Sequence, residues 1–447
     1  MAWKVYYSDP DITAKAGFGR VARLPCIFDD RPGYHRRASR YIIERGLGRW
    51  DPIHRGNPPS ETPLTDGTIW NYACWLLNFL EWASLRGIDL TTCTYADHVR
   101  GRYQEEMLKG IWSRDGDGLG PKTINLRVQQ ACDYLNWTGD KGYRAPFMVP
   151  YEVVPVRVAS KTNYGPRIKH VRQRKGKVRQ NKRRLRMPTD GEVRSWLDSV
   201  YAKFGEALGL MCETILLTAM RLEEVACFRI DTLPPDPEDW LITNPIAPRK
   251  DQLVEIEIMY GTKGPCNGYD HGDKIGPARF IKIPLELAER LHVYRKKHRN
   301  PALKRWVNAA TSTLEKKQRV DEAVHLFLEE STGERIKSKR LYNAWTGVDL
   351  PFKGWSPHLG RDWWACSVLW IGLQQHKHLL SLGGNVAQEL LESSGMSIIR
   401  LQIQPQLGHA DDKTTMIYLR WAADMFGTAL SIRYANDNED ILEMEQT

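Results

Sequence analysis

The sequence predicts a mainly α-helical protein with a small antiparallel β-sheet. Two observations carry that reading. After residue 64, apolar residues recur three and four positions apart through most of the chain, the spacing of an amphipathic helix. In one place the period drops to two: Val254, Ile256 and Ile258 alternate with acids, and Arg279–Leu285 reads as a partner strand, a hairpin with a long loop. At about 150 residues per domain, 447 residues suggest about three domains with ample buried core.

Four stretches follow in order. Residues 1–64 are rich in Gly, Pro and Arg with little periodicity, and read as an N-terminal arm or small subdomain. Residues 65–155 read as a compact helical domain. Ile69, Tyr72, Ala73, Leu76, Leu80 and Ala83 draw an apolar stripe on a helix ending at Gly87. A second helix runs from about Tyr95 to Leu108. After the loop Asp115–Pro121, a third carries Ile124, Val128, Ala131 and Leu135 on one face. Residues 156–187 read as a basic interdomain linker. Residues 188–447 form the last domain and its tail. Thr189-Asp-Gly-Glu192 has the form of a capping box, Val193, Trp196, Leu197 and Val200 supply an apolar face, and a second helix from about Gly205 to Leu217 breaks at Thr218-Ala-Met. The tail after Arg433 carries five acids and no base.

Composition excludes several classes. With 42% apolar and 26% charged residues, wholesale disorder and collagen-like repetition are out. The longest apolar run, Ala207–Met220, is interrupted by Glu213 and falls short of the ~20 residues of a membrane span. The opening residues hold no hydrophobic signal core, so a cytosolic protein without a membrane partner is expected. Eight scattered cysteines, no two within four residues of each other, make neither a zinc module nor a dense disulfide framework.

Net charge is +10, but its distribution says more. Between Arg157 and Arg186 stand 13 Lys or Arg and no acid, leaving the remainder at −3. Such a segment suits a polyanion, most simply a nucleic-acid backbone. Arg172, Arg174, Lys175, Lys177, Arg179, Lys182, Arg183 and Arg184 are its candidate contacts. Extended at about 3.3 Å per residue, the stretch could cross a duplex face several times.

Five short segments in the last region could carry chemistry: Arg221-Leu-Glu-Glu224, Gly261-Thr-Lys263-Gly, Ser356-Pro-His358-Leu-Gly-Arg361, Leu407-Gly-His409, and Thr414-Thr-Met-Ile-Tyr418. Singly, each has a structural explanation. Arg221 pairs with Glu224 on a helix, His358 caps a turn, Tyr418 packs, and Lys263 is solvated. Metal readings are weaker. Cys266, Asp270, His271 and Asp273 fit no standard zinc spacing, His376 and His378 do not share a helix face, and Asp115-Gly-Asp-Gly lacks the terminal Glu of a calcium loop. No metal site is expected.

Together and in this order, the five segments resemble the tyrosine recombinase (phage integrase) family over most of residues 188–425. The family's box is Arg, Lys on a hairpin, His-x-x-Arg, Leu-Gly-His, and Tyr nine residues later. Here these positions are Arg221, Lys263, His358, Arg361, His409 and Tyr418. Asn71-Tyr-Ala, Phe79-Leu-Glu-Trp82 and Thr123-Ile-Asn resemble the family's core-binding domain more weakly. The resemblance implies a helical core-binding, DNA-binding domain at 65–155 and an α+β tyrosine-recombinase catalytic domain at 188–447. It implies that Tyr418 attacks a DNA phosphodiester, giving a covalent 3′-phosphotyrosine and a free 5′-hydroxyl. Lys263 would be the general acid, His358 would assist proton transfer, and His409 would hydrogen-bond the phosphate. Two always-protonated guanidiniums, Arg221 and Arg361, suit the charge that builds on the non-bridging oxygens.

The resemblance implies no cofactor, neither ATP nor metal, and the sequence has no Gly-x4-Gly-Lys-Ser/Thr loop. The implied partner is double-stranded DNA, gripped by a tetramer on two sites with room for accessory DNA-bending proteins. The expected setting is the cytoplasm, at the nucleoid, and the size of the N-terminal addition favours a mobile-element integrase over dimer resolution or inversion. A type IB topoisomerase or telomere resolvase, and a catalytically silent DNA-binding accessory protein, are the alternatives. Four departures stand out. Asp362 replaces the usual His or Lys after the second Arg, and Gly360 replaces a common Leu. The 47 residues between Arg361 and His409 imply an insertion near Trp370–Leu391. Lys274 competes with Lys263 in the long loop, though Gly-Thr-Lys-Gly directly ends the strand.

Overall fold

A computed structural model of the chain describes residues 3–30, 33–52, 64–158, 167–180, 185–262, 276–375, 393–409 and 412–426. These fall into two compact units, one over residues 3–180 and one over 185–426, both mainly helical with small antiparallel sheets. No described helix is long and apolar enough to cross a membrane.

The first unit opens with β1 (Lys4–Tyr7), α1 (Pro10–Lys15) and β2 (Pro25–Phe28), with β1 antiparallel to β2 and Val5 opposite Ile27. Then come α2 (Arg36–Gly46), α3 (Asp66–Leu85), α4 (Tyr95–Gln104, continued by Glu105–Leu108) and α5 (Pro121–Asp140). The α3 stripe Ile69, Ala73, Leu76, Leu80 and Ala83 is buried, and Gly87 follows its end in the left-handed region at φ 62°.

Residues 24–46 are not a separate arm. Leu24, Ile27, Tyr41 and Ile42 share one core with Leu76, Phe79 and Trp82 of α3 and Val128, Leu135 and Trp137 of α5. Their contribution is the four-residue strand β2 and the eleven-residue helix α2, whose buried Ala38, Tyr41 and Ile42 recur at three- and four-residue spacing. Polar groups brace the junction. Glu44 accepts from Trp137 Nε1 at 2.9 Å and pairs with Lys141 at 2.8 Å, and Gln130 Nε2 donates to Tyr41 Oη at 2.5 Å.

The basic stretch also departs from the linker expectation. β3 (Tyr151–Val158) pairs antiparallel with β4 (Arg167–Arg174), placing Tyr151 opposite Arg174. Arg174 is 1% exposed, so it is a core residue of this unit and not a backbone contact. Its guanidinium donates to Tyr95 Oη, to Gln104 Oε1 at 3.2 Å and to Asn125 Oδ1 at 3.4 Å. The chain beyond it is tied down too. Tyr95 Oη donates to the Lys175 carbonyl at 2.6 Å, Gln104 Nε2 to that of Gly176 at 3.0 Å, and Asn125 holds both the amide and the carbonyl of Val178. Arginines inside strands masked the pairing in the sequence. Arg174→Ala should cost this unit about 2–3 kcal/mol by leaving buried acceptors unsatisfied, read as a lower denaturant midpoint; an unchanged midpoint refutes its structural role.

The second unit begins with α6 (Asp190–Thr218). The Thr189 capping box forms, with Thr189 N donating to Glu192 Oε2 at 2.8 Å and Glu192 N to Thr189 Oγ1 at 3.3 Å. The two expected helices form within this span, separated at Gly205, whose φ 81° and ψ −177° are not helical, and Ala219 at φ 53° ends the second. α7 (Leu222–Ala226) follows. A three-stranded sheet runs in the order β5 (Leu241–Ile242), β6 (Leu253–Ile258), β7 (Arg279–Pro284). The hairpin alternates as its sequence does: Val254, Ile256 and Ile258 are buried, with Ile283 and Ile281 opposite the first two. β5, two residues long, was not legible.

The helices α8 (Leu285–Tyr294), α9 (Asn300–Asn308), α10 (Thr313–Glu322), α11 (Ser338–Thr346) and α12 (Pro357–Gln374) come next. Ile399–Ile403 then runs into α13 (Gln404–Leu407), and α14 (Asp412–Phe426) closes the unit. The main core joins α6, the sheet, α8 and α11, with Trp196, Trp345 and Trp355 clustered in it. A smaller core joins α12, α13 and α14: Ala365, Cys366, Leu369, Ile403, Leu407, Tyr418, Leu419 and Ala422.

Candidate active site

Backbone geometry first sets the position of Arg221. It sits at the cap before α7, where its amide donates to Glu224 Oε2 at 2.7 Å and its Nη1 to Glu224 Oε1 at 2.7 Å. On α12, Ser356 Oγ caps the helix by accepting from Leu359 N at 3.5 Å, so His358 is not the cap and stands exposed. One turn later, Arg361 and Asp362 follow at helical spacing from it. The residue-360 departure has a steric cause. A Cβ there would lie 2.6 Å from the Trp345 ring, so glycine is the residue that fits.

The two arginines meet at one atom. Arg221 Nη2 and Arg361 Nη2 donate to the Leu407 carbonyl at 3.1 and 3.0 Å. Gly408, at φ 64°, ends α13 directly after that carbonyl. A Cβ at 408 would stand 3.0 Å from Arg279 Cδ and 3.6 Å from Arg221 Nη2, so both the conformation and the close approach call for glycine. Gln406 braces the turn. Its Nε2 donates to the Thr218 and Lys282 carbonyls at 2.8 Å each, and its Oε1 accepts from Lys282 N at 3.0 Å.

A third guanidinium joins them from outside the five sequence segments. Arg279, at the start of β7, donates through Nη1 to Glu224 Oε1 and through Nη2 to Glu224 Oε2 at 2.7 Å. Arg361 Nη1 lies 3.9 Å from the same carboxylate. Glu224 is 1% exposed. Burial alone would raise its pKa, but Arg279, with Arg221, holds it down at about 2. One fixed negative charge thus serves three positive ones. Burial and the Arg221 and Arg279 charges push Arg361 down to about 10, still protonated at neutral pH.

His409 directly follows the glycine. Burial lowers its pKa, and the charges of Arg361, Arg221, His358 and Arg279 bring it to about 4, so its imidazole is neutral at pH 7. Among the described residues, Arg361 Nη1 and His409 Nδ1 are buried without a hydrogen-bond partner. Such orphans in one positive site suit an incoming oxyanion.

Tyr418 lies on the buried face of α14. Thr415, Tyr418, Leu419 and Ala422, spaced three and four apart, all point inward, and Tyr418 is 2% exposed. Its Oη donates to Asp362 Oδ1 at 2.8 Å. Burial pushes the phenol's pKa up and Asp362 pushes it further, while Arg361 opposes both. Asp362 therefore faces the tyrosine and does not point away.

Arg221, His358, Arg361, His409 and Tyr418 are thus gathered around Leu407 and Asp362. Lys263 and its competitor Lys274 lie outside the described residues, as do Cys266, Asp270, His271, Asp273, His376 and His378; the expected insertion is described only as far as residue 375. Of the basic candidates, Arg172, Lys175, Lys177 and Arg179 are exposed, with Arg172 4.4 Å from the Tyr151 ring centre. Lys182, Arg183 and Arg184 lie outside the described residues. No described cluster of His, Cys, Asp and Glu could hold a metal ion.

No family model and no curated protein matches the chain. Among solved structures, it is similar to XerA recombinase, at 14% identity and a TM-score of 0.30, covering 88% of this chain and 97% of that one. It is also similar to the Tn1549 transposon integrase in complex with circular intermediate DNA, at 14% identity and a TM-score of 0.43, covering 84% of this chain and 94% of that one. The same integrase in complex with transposon right end DNA matches at 13% identity, with the same TM-score and coverage.

Proposed function

We propose that the chain is a site-specific tyrosine recombinase of the integrase type, cutting and rejoining duplex DNA through a 3′-phosphotyrosine for a mobile element. The observation that carries this reading is the convergence of Arg221 and Arg361 on the Leu407 carbonyl, beside two orphaned nitrogens, Arg361 Nη1 and His409 Nδ1. A phosphodiester offers the acceptors those nitrogens lack. Arg221 and Arg361 grip its non-bridging oxygens, and neutral His409 donates one further hydrogen bond. Arg279 positions the grip through Glu224. Tyr418 attacks phosphorus, Lys263 protonates the leaving 5′-oxygen, and His358 assists proton transfer. The phosphate-bond energy stays in the phosphotyrosine, so resealing runs the steps backwards. Four protomers on two sites exchange the strands.

Duplexes randomised around a nick test this directly. Incubation and denaturing capture should recover a covalent adduct, and peptide mapping should place the DNA on Tyr418. An adduct on another residue, or none, overturns the reading.

The basic segment makes a separate prediction. Replacing exposed Arg172, Lys175, Lys177 and Arg179 by Gln should flatten the salt dependence of DNA binding by about 0.9 in log–log slope per lost phosphate contact. An unchanged slope shows that these side chains do not touch phosphate. Arg174, being buried, is excluded from this set.

A further inference from the structure

The role of Asp362 goes beyond what the motif supplies. Its Oδ1 accepts a hydrogen bond from Tyr418 Oη at 2.8 Å. Both residues are buried, at 5% and 2% exposure. They sit on α12 and α14, which pack together through Cys366, Leu369, Leu419 and Ala422, so the contact rests on two helices and not on a loop. His358 is exposed on the first turn of α12 and His409 lies beyond the Gly408 turn; neither bonds the phenol. We propose that Asp362 is the proton acceptor for Tyr418, an inference that rests on the nucleophilic role given to that tyrosine above.

An electron pair on Tyr418 Oη forms the bond to phosphorus while the O–H bond breaks and its proton passes to Asp362 Oδ1. The bond from phosphorus to the 5′-oxygen breaks, and the departing oxygen keeps the pair and takes a proton from Lys263. On resealing, the carboxylic acid returns its proton to the phenolic oxygen. An acceptor is needed because the surroundings hold the free phenol protonated at neutral pH. As the bond to phosphorus grows, the phenol becomes more acidic and a carboxylate at hydrogen-bond distance suffices.

The experiment uses the full chain and duplexes recovered from the randomised nicked pool. These are made with either oxygen or sulphur as the bridging 5′ atom, because a thiolate leaves without a general acid. Asp362→Asn should slow single-turnover adduct formation by about 10²–10³-fold at pH 7 on both substrates. Lys263→Ala should slow it on the oxygen substrate alone. The Asn variant's rate should climb about tenfold per pH unit where the wild type is flat, and Asp362→Glu should recover part of the loss, with DNA affinity unchanged in both. Wild-type rates for Asp362→Asn on both substrates overturn the proposal and leave the contact as a clasp on the tyrosine. If the Asn variant fails to bind DNA, the Glu variant decides: a shifted pH profile supports the proposal, and a wild-type profile at the wild-type rate overturns it. Failure of the wild type to form an adduct at Tyr418 removes the tyrosine reading and this one together. An adduct at Tyr418 indifferent to Asp362 removes this one alone.

Discussion

Glu224→Ala will destabilise the second unit by about 3–5 kcal/mol, the cost of removing one partner from a buried charge pair. The carboxylate is fully enclosed and bonded to Arg221 and Arg279, with Arg361 nearby, so its loss leaves three guanidiniums facing one another. At about 2–4 °C per kcal/mol for a unit of this size, the melting temperature should fall by about 6–20 °C. Inorganic phosphate should restore part of the loss by supplying a counter-anion to the native state. The pH dependence has a definite sign. The native pKa of Glu224 is depressed to about 2 from an ordinary 4.5, so its stabilisation is complete above 4.5 and disappears as pH falls through 2. The wild type should therefore lose this stabilisation between those values, and Glu224→Ala should lack that part of the slope. Calorimetry across this pH range checks both effects, and a melting temperature within 2 °C of wild type would show that the carboxylate does not organise the arginines.

The second large effect concerns chemistry. Tyr418→Phe should abolish the covalent adduct while leaving DNA binding intact, because the phenol oxygen is buried against Asp362 and adds nothing to a surface contact. Arg361→Gln should keep a measurable rate, lowered about 10²–10³-fold, as expected for loss of one preorganised donor. The two variants thus separate: one has no adduct at any time, the other a slow approach to the same endpoint. Denaturing gels over a time course distinguish them. A Tyr418→Phe protein that still captures DNA would move the nucleophile elsewhere.

Much of this site was legible because its pieces are short and locally spaced. His358 and Arg361 announce themselves three residues apart on a helix, the Thr189 box is a four-residue signature, and the β6 alternation is written in adjacent letters. Arg279 was not legible as a site residue, since its partner Glu224 stands 55 positions earlier and nothing local to a strand-end arginine indicates which way it faces. The Asp362–Tyr418 contact spans 56 positions and was equally hidden. The β4 sequence reads as a linker because Arg167, Arg172 and Arg174 stand where a periodic apolar pattern would mark a strand. Arg174 shows the limit of counting charges. Its long side chain is satisfied inside by a tyrosine, a glutamine and an asparagine gathered from α4 and α5.

The close fit of Gly360 under the Trp345 ring has a practical consequence for engineering. A variant that places at position 360 the leucine common in the family the sequence resembles would drive a side chain into an occupied niche, and the strain would fall one residue before Arg361. The two positions form a matched pair. Any replacement of the α12 segment must carry residue 345 along with it.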